Sequence, residues 1–273
     1  MRLFPSYPAA LALGCAPLLL IAAVACHSRD ALPASVYPNL NFAYYGTENL
    51  GAATCIPPAT GGPGDTAPFT AQRLLSFTQT DSIIVGRDEG DRAVHFTGIA
   101  SASGTVTLDG LASGIDPSQP ANTVTIHWTY NLQALAGGDE LRATGQVTME
   151  IRNASTGALI RSCVRSIVSD FTKRTAAVPE LTAIPCSQEP SVASQTTMRG
   201  SALLIFENSS NSRRAIIWID YQGRRINALE LGPGEVASVS TYVTHPWLVA
   251  DATNGQCGGI YQPVVGPAIV AIR

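Results

Sequence analysis

Beyond residue 35 the hydrophobic and polar positions alternate in short runs broken by Gly, Pro, Asn and Asp, and no stretch keeps a helical period. From Val36 to about Thr175, the segments Arg73 to Gln79, Ser82 to Val85, Ala93 to Ala100, Thr105 to Leu108, Thr123 to Leu132, Glu140 to Arg152 and Ala158 to Phe171 place β-branched or apolar residues two apart. That spacing puts them on one face of a strand. Six or seven such strands in succession predict a sandwich or a barrel over residues 36–175, of no recognised family.

A second series begins after Gly200. Ala202 to Glu207, Ala215 to Tyr221, Arg225 to Leu231, Val236 to Val243, Trp247 to Ala250, Gly259 to Gln262 and Ala268 to Ile272 read as seven strands. Gln222-Gly223 supplies the positive φ of a hairpin, Gly232-Pro233-Gly234 a tight reversal, and Asn254-Gly255 a strong hairpin dipeptide. A small antiparallel sandwich over 201–273 follows. Residues 176–200, with Pro179, Pro185 and Pro190 and then Ser194-Gln195-Thr196-Thr197, have the composition of an extended spacer. The chain is therefore expected to be all-β.

The N-terminus carries a different pattern. Arg2 precedes an uncharged apolar run from Ala9 to Ala25, interrupted by Pro17 and ending in small residues. It is shorter than the ~20 residues needed to cross a bilayer, so residues 1–25 read as a secretory signal rather than a span. Ala23-Val24-Ala25-Cys26 fits small-x-small cleavage and also resembles the bacterial lipobox, in which the cysteine after the cut is lipidated. Ala23 stands where that pattern prefers Leu, so two outcomes stay open: a lipoprotein anchored to the envelope through Cys26, or a freely secreted or periplasmic protein. Residues 26–35, with Ser28-Arg29-Asp30, form a polar tether.

Charge and cysteine content narrow the chemistry. A net charge of −3 offers no basic stripe for nucleic acid, and Arg213-Arg214 and Arg224-Arg225 flank strands as solvated edges. With Cys15 in the signal and Cys26 at its end, Cys55, Cys163, Cys186 and Cys257 remain, an even set that suggests disulfides in an oxidising compartment. The pairing is open: Cys186 with Cys257 would staple the spacer to the last domain, and Cys163 with Cys186 would stay local. No metal or cofactor is expected, since no cysteine pair has a zinc-knuckle spacing and the four histidines are scattered. His95 and His127 fall within strands and read as structural. The loop from Pro57 to Pro68, with Gly61, Gly62 and Gly64, lacks the Lys-Ser/Thr and following helix of a phosphate-binding loop.

One ordered set of motifs stands out in the C-terminal third. Leu204-Ile205-Phe206-Glu207-Asn208-Ser209, Ile217-Trp218-Ile219-Asp220-Tyr221-Gln222-Gly223, Leu231-Gly232-Pro233-Gly234, Thr241 through Leu248 with His245-Pro246-Trp247, and Asp251 together resemble the von Hippel-Lindau β-domain family over about Ser201 to Pro263. The resemblance implies a shallow groove that recognises a hydroxylated proline in an extended peptide. Its two Trp positions fall on Trp218 and Trp247, its His on His245, and its Ser on Thr241, which keeps the hydroxyl. Its Tyr falls on Ala228, which removes one wall of the pocket and weakens the expectation of hydroxyproline binding. The chain stops at Arg273 without the family's helical domain, so no ubiquitin-ligase partner is expected.

Read from the residues alone, His245 and Trp247 lie two apart and share a face, with Thr241 joining them if the strand runs on. Trp218 suits a core or a groove equally. A catalytic triad of His245, Asp220 or Asp251 and a serine can be drawn, but no Gly-x-Ser-x-Gly elbow accompanies it, and no enzyme is expected. The sequence thus points to an exported module that binds a peptide or small ligand; the competing reading is an envelope scaffold without a specific ligand.

Overall fold

The computed structural model describes residues 37–58, 66–116 and 119–273. The signal segment, the tether with Cys26, and Gly61, Gly62 and Gly64 lie outside these residues.

The first body is a closed barrel. Its strands are β1 (Ala43–Leu50), β3 (Phe69–Thr80), β4 (Ile83–Asp88), β5 (His95–Ala100), β6 (Thr105–Ile115), β7 (Asn122–Leu135), β8 (Glu140–Asn153) and β9 (Leu159–Arg174), each antiparallel to the next. β9 also bonds β1, from Ala43↔Arg174 to Leu50↔Ile167, which shuts the sheet on itself and leaves no unpaired edge there. A short β2 (Thr54–Ile56) extends the same side of β9, with Cys55 opposite Cys163 and disulfide-bonded to it.

Inward positions follow the two-residue period read from the sequence. Phe77, Phe96, Leu108, Trp128, Tyr130, Leu141 and Phe171 fill the barrel. Gly86 and Gly110 are glycine for a steric reason, since a Cβ at either would run into the Phe77 or Phe96 ring. Leu40 closes one end, its amide donating to Gln79 Oε1 at 2.8 Å, and beside it the Tyr44 hydroxyl donates to the Gly138 carbonyl at 2.7 Å. His95 and His127 point outward and are exposed, flanking Leu111 on the outer face, so the structural role expected for them in the barrel is not the one they have. Neither is packed inside the barrel.

The second body is a sandwich of two small sheets. One holds β13 (Val236–Tyr242), β10 (Ser201–Asn208) and β16 (Gly266–Ile272), with β10 and β16 parallel; the other holds β12 (Arg225–Leu231), β11 (Arg214–Ile219), β14 (Trp247–Asp251) and β15 (Cys257–Tyr261). All seven sequence-predicted strands are present. Their inner faces pack Leu204, Phe206, Ile216, Trp247, Val249 and Val270 between the sheets.

The outer faces are apolar too. Leu203 and Ile205 of β10 pack against Leu74, Ala43 and Tyr45 of the barrel wall, next to a 2.7 Å bond from the Gln72 amide to Ser240 Oγ. Ile217, Leu248 and Ile260 form the outer face of the four-stranded sheet, and Ile184 and Val192 cover it. Residues 179–195 are thus a strap rather than the spacer expected from their prolines. Glu180 bridges Ile269, Ile184 bridges Ile260, Cys186 is bonded to Cys257, and Glu189 pairs with Arg225. The reason is the continuous apolar composition of β11 and β14: a strand apolar on both faces needs cover on both.

Candidate binding site

The turn between β13 and β14 organises the site. β13 ends at Tyr242, the His245 amide donates to the Tyr242 carbonyl at 3.0 Å, and Pro246 O accepts from the Ile219 amide before β14 begins at Trp247. The chain therefore changes sheets between Thr241 and Trp247, and the shared parity expected of Thr241, His245 and Trp247 does not survive the turn. Thr241 and Trp247 meet across the core instead. The Trp247 indole donates to Thr241 Oγ1 at 3.1 Å, its ring lies 6.2 Å from Phe206, and it is 6% exposed. Trp247 is a core side chain here, not the wall of an open groove.

His245 has other company. Its ring lies 5.6 Å from Trp218, 5.6 Å edge-on from Tyr221 and 5.3 Å edge-on from Tyr242, and Trp218 and Tyr221 meet at 5.3 Å. Edge-to-face packing at these separations is the favoured arrangement of aromatic quadrupoles. The strap completes the set. Ser194 Oγ accepts from the Trp218 indole at 2.7 Å and donates to the Ile219 carbonyl; the Gln195 amide donates to the Thr244 carbonyl at 3.1 Å, and the Gln195 backbone also hydrogen-bonds the His245 imidazole.

One polar atom is left over. Nε2 of His245 is buried and has no hydrogen-bond partner among the described residues. Burial pushes the imidazole down from its ordinary value, partly offset by the bond to the Gln195 backbone, so the ring is neutral at physiological pH. With the Gln195 amide given to Thr244, the Gln195 carbonyl takes the ring's one N–H, so the neutral Nε2 is an acceptor, and an unmet one costs roughly 1–3 kcal/mol.

The residues expected from sequence are thus brought together only in part. Trp218 and His245 touch, Thr241 and Trp247 bond each other nearby, and Ala228 lies apart. Ala228 is the extra residue of a bulge in the edge strand β12, where the register steps from Ile216↔Leu229 to Ile217↔Asn227, and it is exposed. Tyr221, Tyr242 and Ser194 were not among the expected residues. Asp220 and Asp251 do not face His245 as acceptors. Asp220 takes hydrogen bonds from the Gln222 and Arg224 amides and pairs with the Arg224 guanidinium, and Asp251 caps its own turn at Thr253 and Asn254.

Two small sheets and a strap form a β-sandwich with an aromatic cluster at one corner. Residues 192–260 match the family model of the VHL beta domain, from the strap through Ile260 of β15. The C-terminal body is a VHL β domain. No curated protein matches the chain.

Proposed function

We propose that this is an exported binding protein whose VHL β domain holds a peptide or small ligand at the Trp218–Tyr221–Tyr242–His245 corner. The observation that carries the reading is the orphan Nε2 of His245, enclosed by three aromatic rings. A ligand hydroxyl or amide reaching it satisfies a buried nitrogen that the protein leaves open. Tyr221, 36% exposed, is the ring that must turn aside to admit it. Two disulfides accord with an extracytoplasmic compartment, and the Ala9–Ala25 run with Cys26 supports a lipid anchor there. Cys26→Ser then releases the protein from membranes, whereas an unmodified mature N-terminus recovered from the soluble fraction overturns the anchor.

The probes for the site are a hydroxyproline peptide and its unmodified twin, titrated against the wild type, Ala228→Tyr and His245→Phe. Ala228 stands on the exposed bulge of β12, apart from this corner, so the contact that distinguishes the two peptides is the hydrogen bond from the hydroxyl to His245, about 1 kcal/mol. The hydroxylated peptide therefore binds about fivefold better than its twin, Ala228→Tyr leaves that ratio unchanged, and His245→Phe abolishes it. Flat titrations with every form, the fold intact, favour the scaffold reading.

A further inference from the structure

The end of the barrel opposite Leu40 is hollow. A cavity of about 190 Å³ is walled by Leu50, Ile126, Trp128, Val147 and Met149, with Arg73 and Arg165 among its lining residues. Ile126 pairs with Met149 and Trp128 with Val147 on adjacent strands, so these four project inward from one patch of the sheet. A dry cavity of ~150 Å³ accepts benzene, so this one has room for one six-membered ring and two or three further heavy atoms.

Arg73 gives the cavity its polarity. Its Nε donates to Glu48 Oε2 at 3.0 Å and its Nη1 to Asp88 Oδ2 at 2.6 Å, while the guanidinium carbon sits 5.7 Å from the centre of the Trp128 ring. The Tyr130 hydroxyl donates to the other Glu48 oxygen. Nη2 has no hydrogen-bond partner among the described residues, and the side chain keeps 20% of its surface open while both carboxylates are buried. A guanidinium in a barrel core that holds one nitrogen back from its ion pairs is a donor presented to whatever enters.

The charge count selects the ligand's character. Glu48 and Asp88 already oppose one Arg73, and burial pushes the Asp88 carboxyl up, against the pull of Arg73. Arg165, the second cation of the lining, gives its Nη1 to the Gly51 and Ala67 carbonyls and lies over the Phe69 ring, so at Arg73 Nη2 a bound carboxylate would crowd Glu48 and Asp88 around the one Arg73, and a pure hydrocarbon would leave that Nη2 unmet. We propose that the barrel cavity binds one small, uncharged, ring-sized apolar molecule carrying a hydrogen-bond acceptor, its ring against Trp128 and Met149 and its acceptor on Arg73 Nη2. This site is independent of the one on the sandwich.

The three methionines make the test local. Met149 lines the cavity, Met198 is exposed on the strap side, and Met1 lies at the chain start, so methyl-labelled methionine in the full chain reports the cavity with an internal control. The probes are benzamide, toluene and benzoate, of equal ring size. Benzamide shifts the Met149 methyl saturably in the millimolar range and leaves Met198 in place. Its affinity exceeds that of toluene and benzoate by about tenfold or more, the worth of one hydrogen bond to a charged donor. Ile126→Trp fills the cavity and abolishes the shift with the spectrum still folded. Arg73→Lys keeps the charge that balances Glu48 but withdraws Nη2, and brings benzamide down to the level of toluene. The proposal is overturned if no probe moves Met149, if Ile126→Trp leaves the response intact, or if toluene or benzoate binds as tightly as benzamide.

Discussion

Truncating Trp247 to alanine separates a core indole from a groove wall. The side chain is 6% exposed, packs on Phe206 and bonds Thr241. A buried Trp removes about 200 Å² from water, an upper bound of about 5 kcal/mol at ~25 cal/mol per Å², and orphaning the Thr241 hydroxyl adds about 1 kcal/mol. Partial collapse of the cavity brings the expected loss to about 4 kcal/mol, a large share of what a small domain has. Trp218→Ala, at a half-buried position tied to Ser194, costs roughly half as much. Native-state hydrogen exchange at the Leu248 and Val249 amides of β14 reads these losses within the sandwich, apart from the barrel. The reasoning is refuted if Trp247→Ala lowers protection by less than about 1 kcal/mol, or by no more than Trp218→Ala.

Three further outcomes follow from the same geometry. Because burial lowers the folded His245 pKa, the unfolded chain binds the proton first as pH falls below about 6.5, so urea midpoints of the sandwich decline through that range, and His245→Phe removes that part of the decline. Replacing Cys186 and Cys257 by Ser opens a 71-residue loop and lowers stability by about 4 kcal/mol on the chain-entropy account, measured as lost exchange protection at Ile184 and Ile260. A fragment of residues 201–273 exposes Ile217, Leu248 and Ile260 and aggregates, 176–273 still bares Leu203 and Ile205 and self-associates, and 37–273, which covers both faces, is monomeric by sedimentation.

Most strands were legible because one face of each is apolar at a two-residue spacing and Gly, Asn or Pro marks its ends. β1 was not, since its inward positions include Glu48, a charge buried only because Arg73 and Tyr130 meet it from strands far away in sequence. Barrel closure depends on pairing Leu50 with Ile167, a register no local pattern encodes. The strap was misread for a related reason. Prolines forbid a regular strand, but one isolated bridge at Ile184 and one disulfide suffice to hold a segment, and neither leaves a periodic trace. At the site, Trp218 and His245 were legible through their motif. Tyr221 and Tyr242 were not, because they reach His245 around a hairpin and across a turn where strand parity carries no information.

The order in which these parts can be completed is set by where the strap finds its partners. The barrel shuts with β9 at Arg174, so every strand it needs has been made before any sandwich residue appears. The sandwich has no such head start. Its strap waits for Ile269, its parallel partner for β10 is β16, and Glu180 is paired by Arg273. β10 lacks its parallel partner, and the strap its bridge to Ile269, until β16 is made, since contacts between residues far apart in sequence form late. Loss of β16 strips cover from β10 and an anchor from the strap together, so a chain cut before Gly266 is a finished barrel trailing an unfinished sandwich.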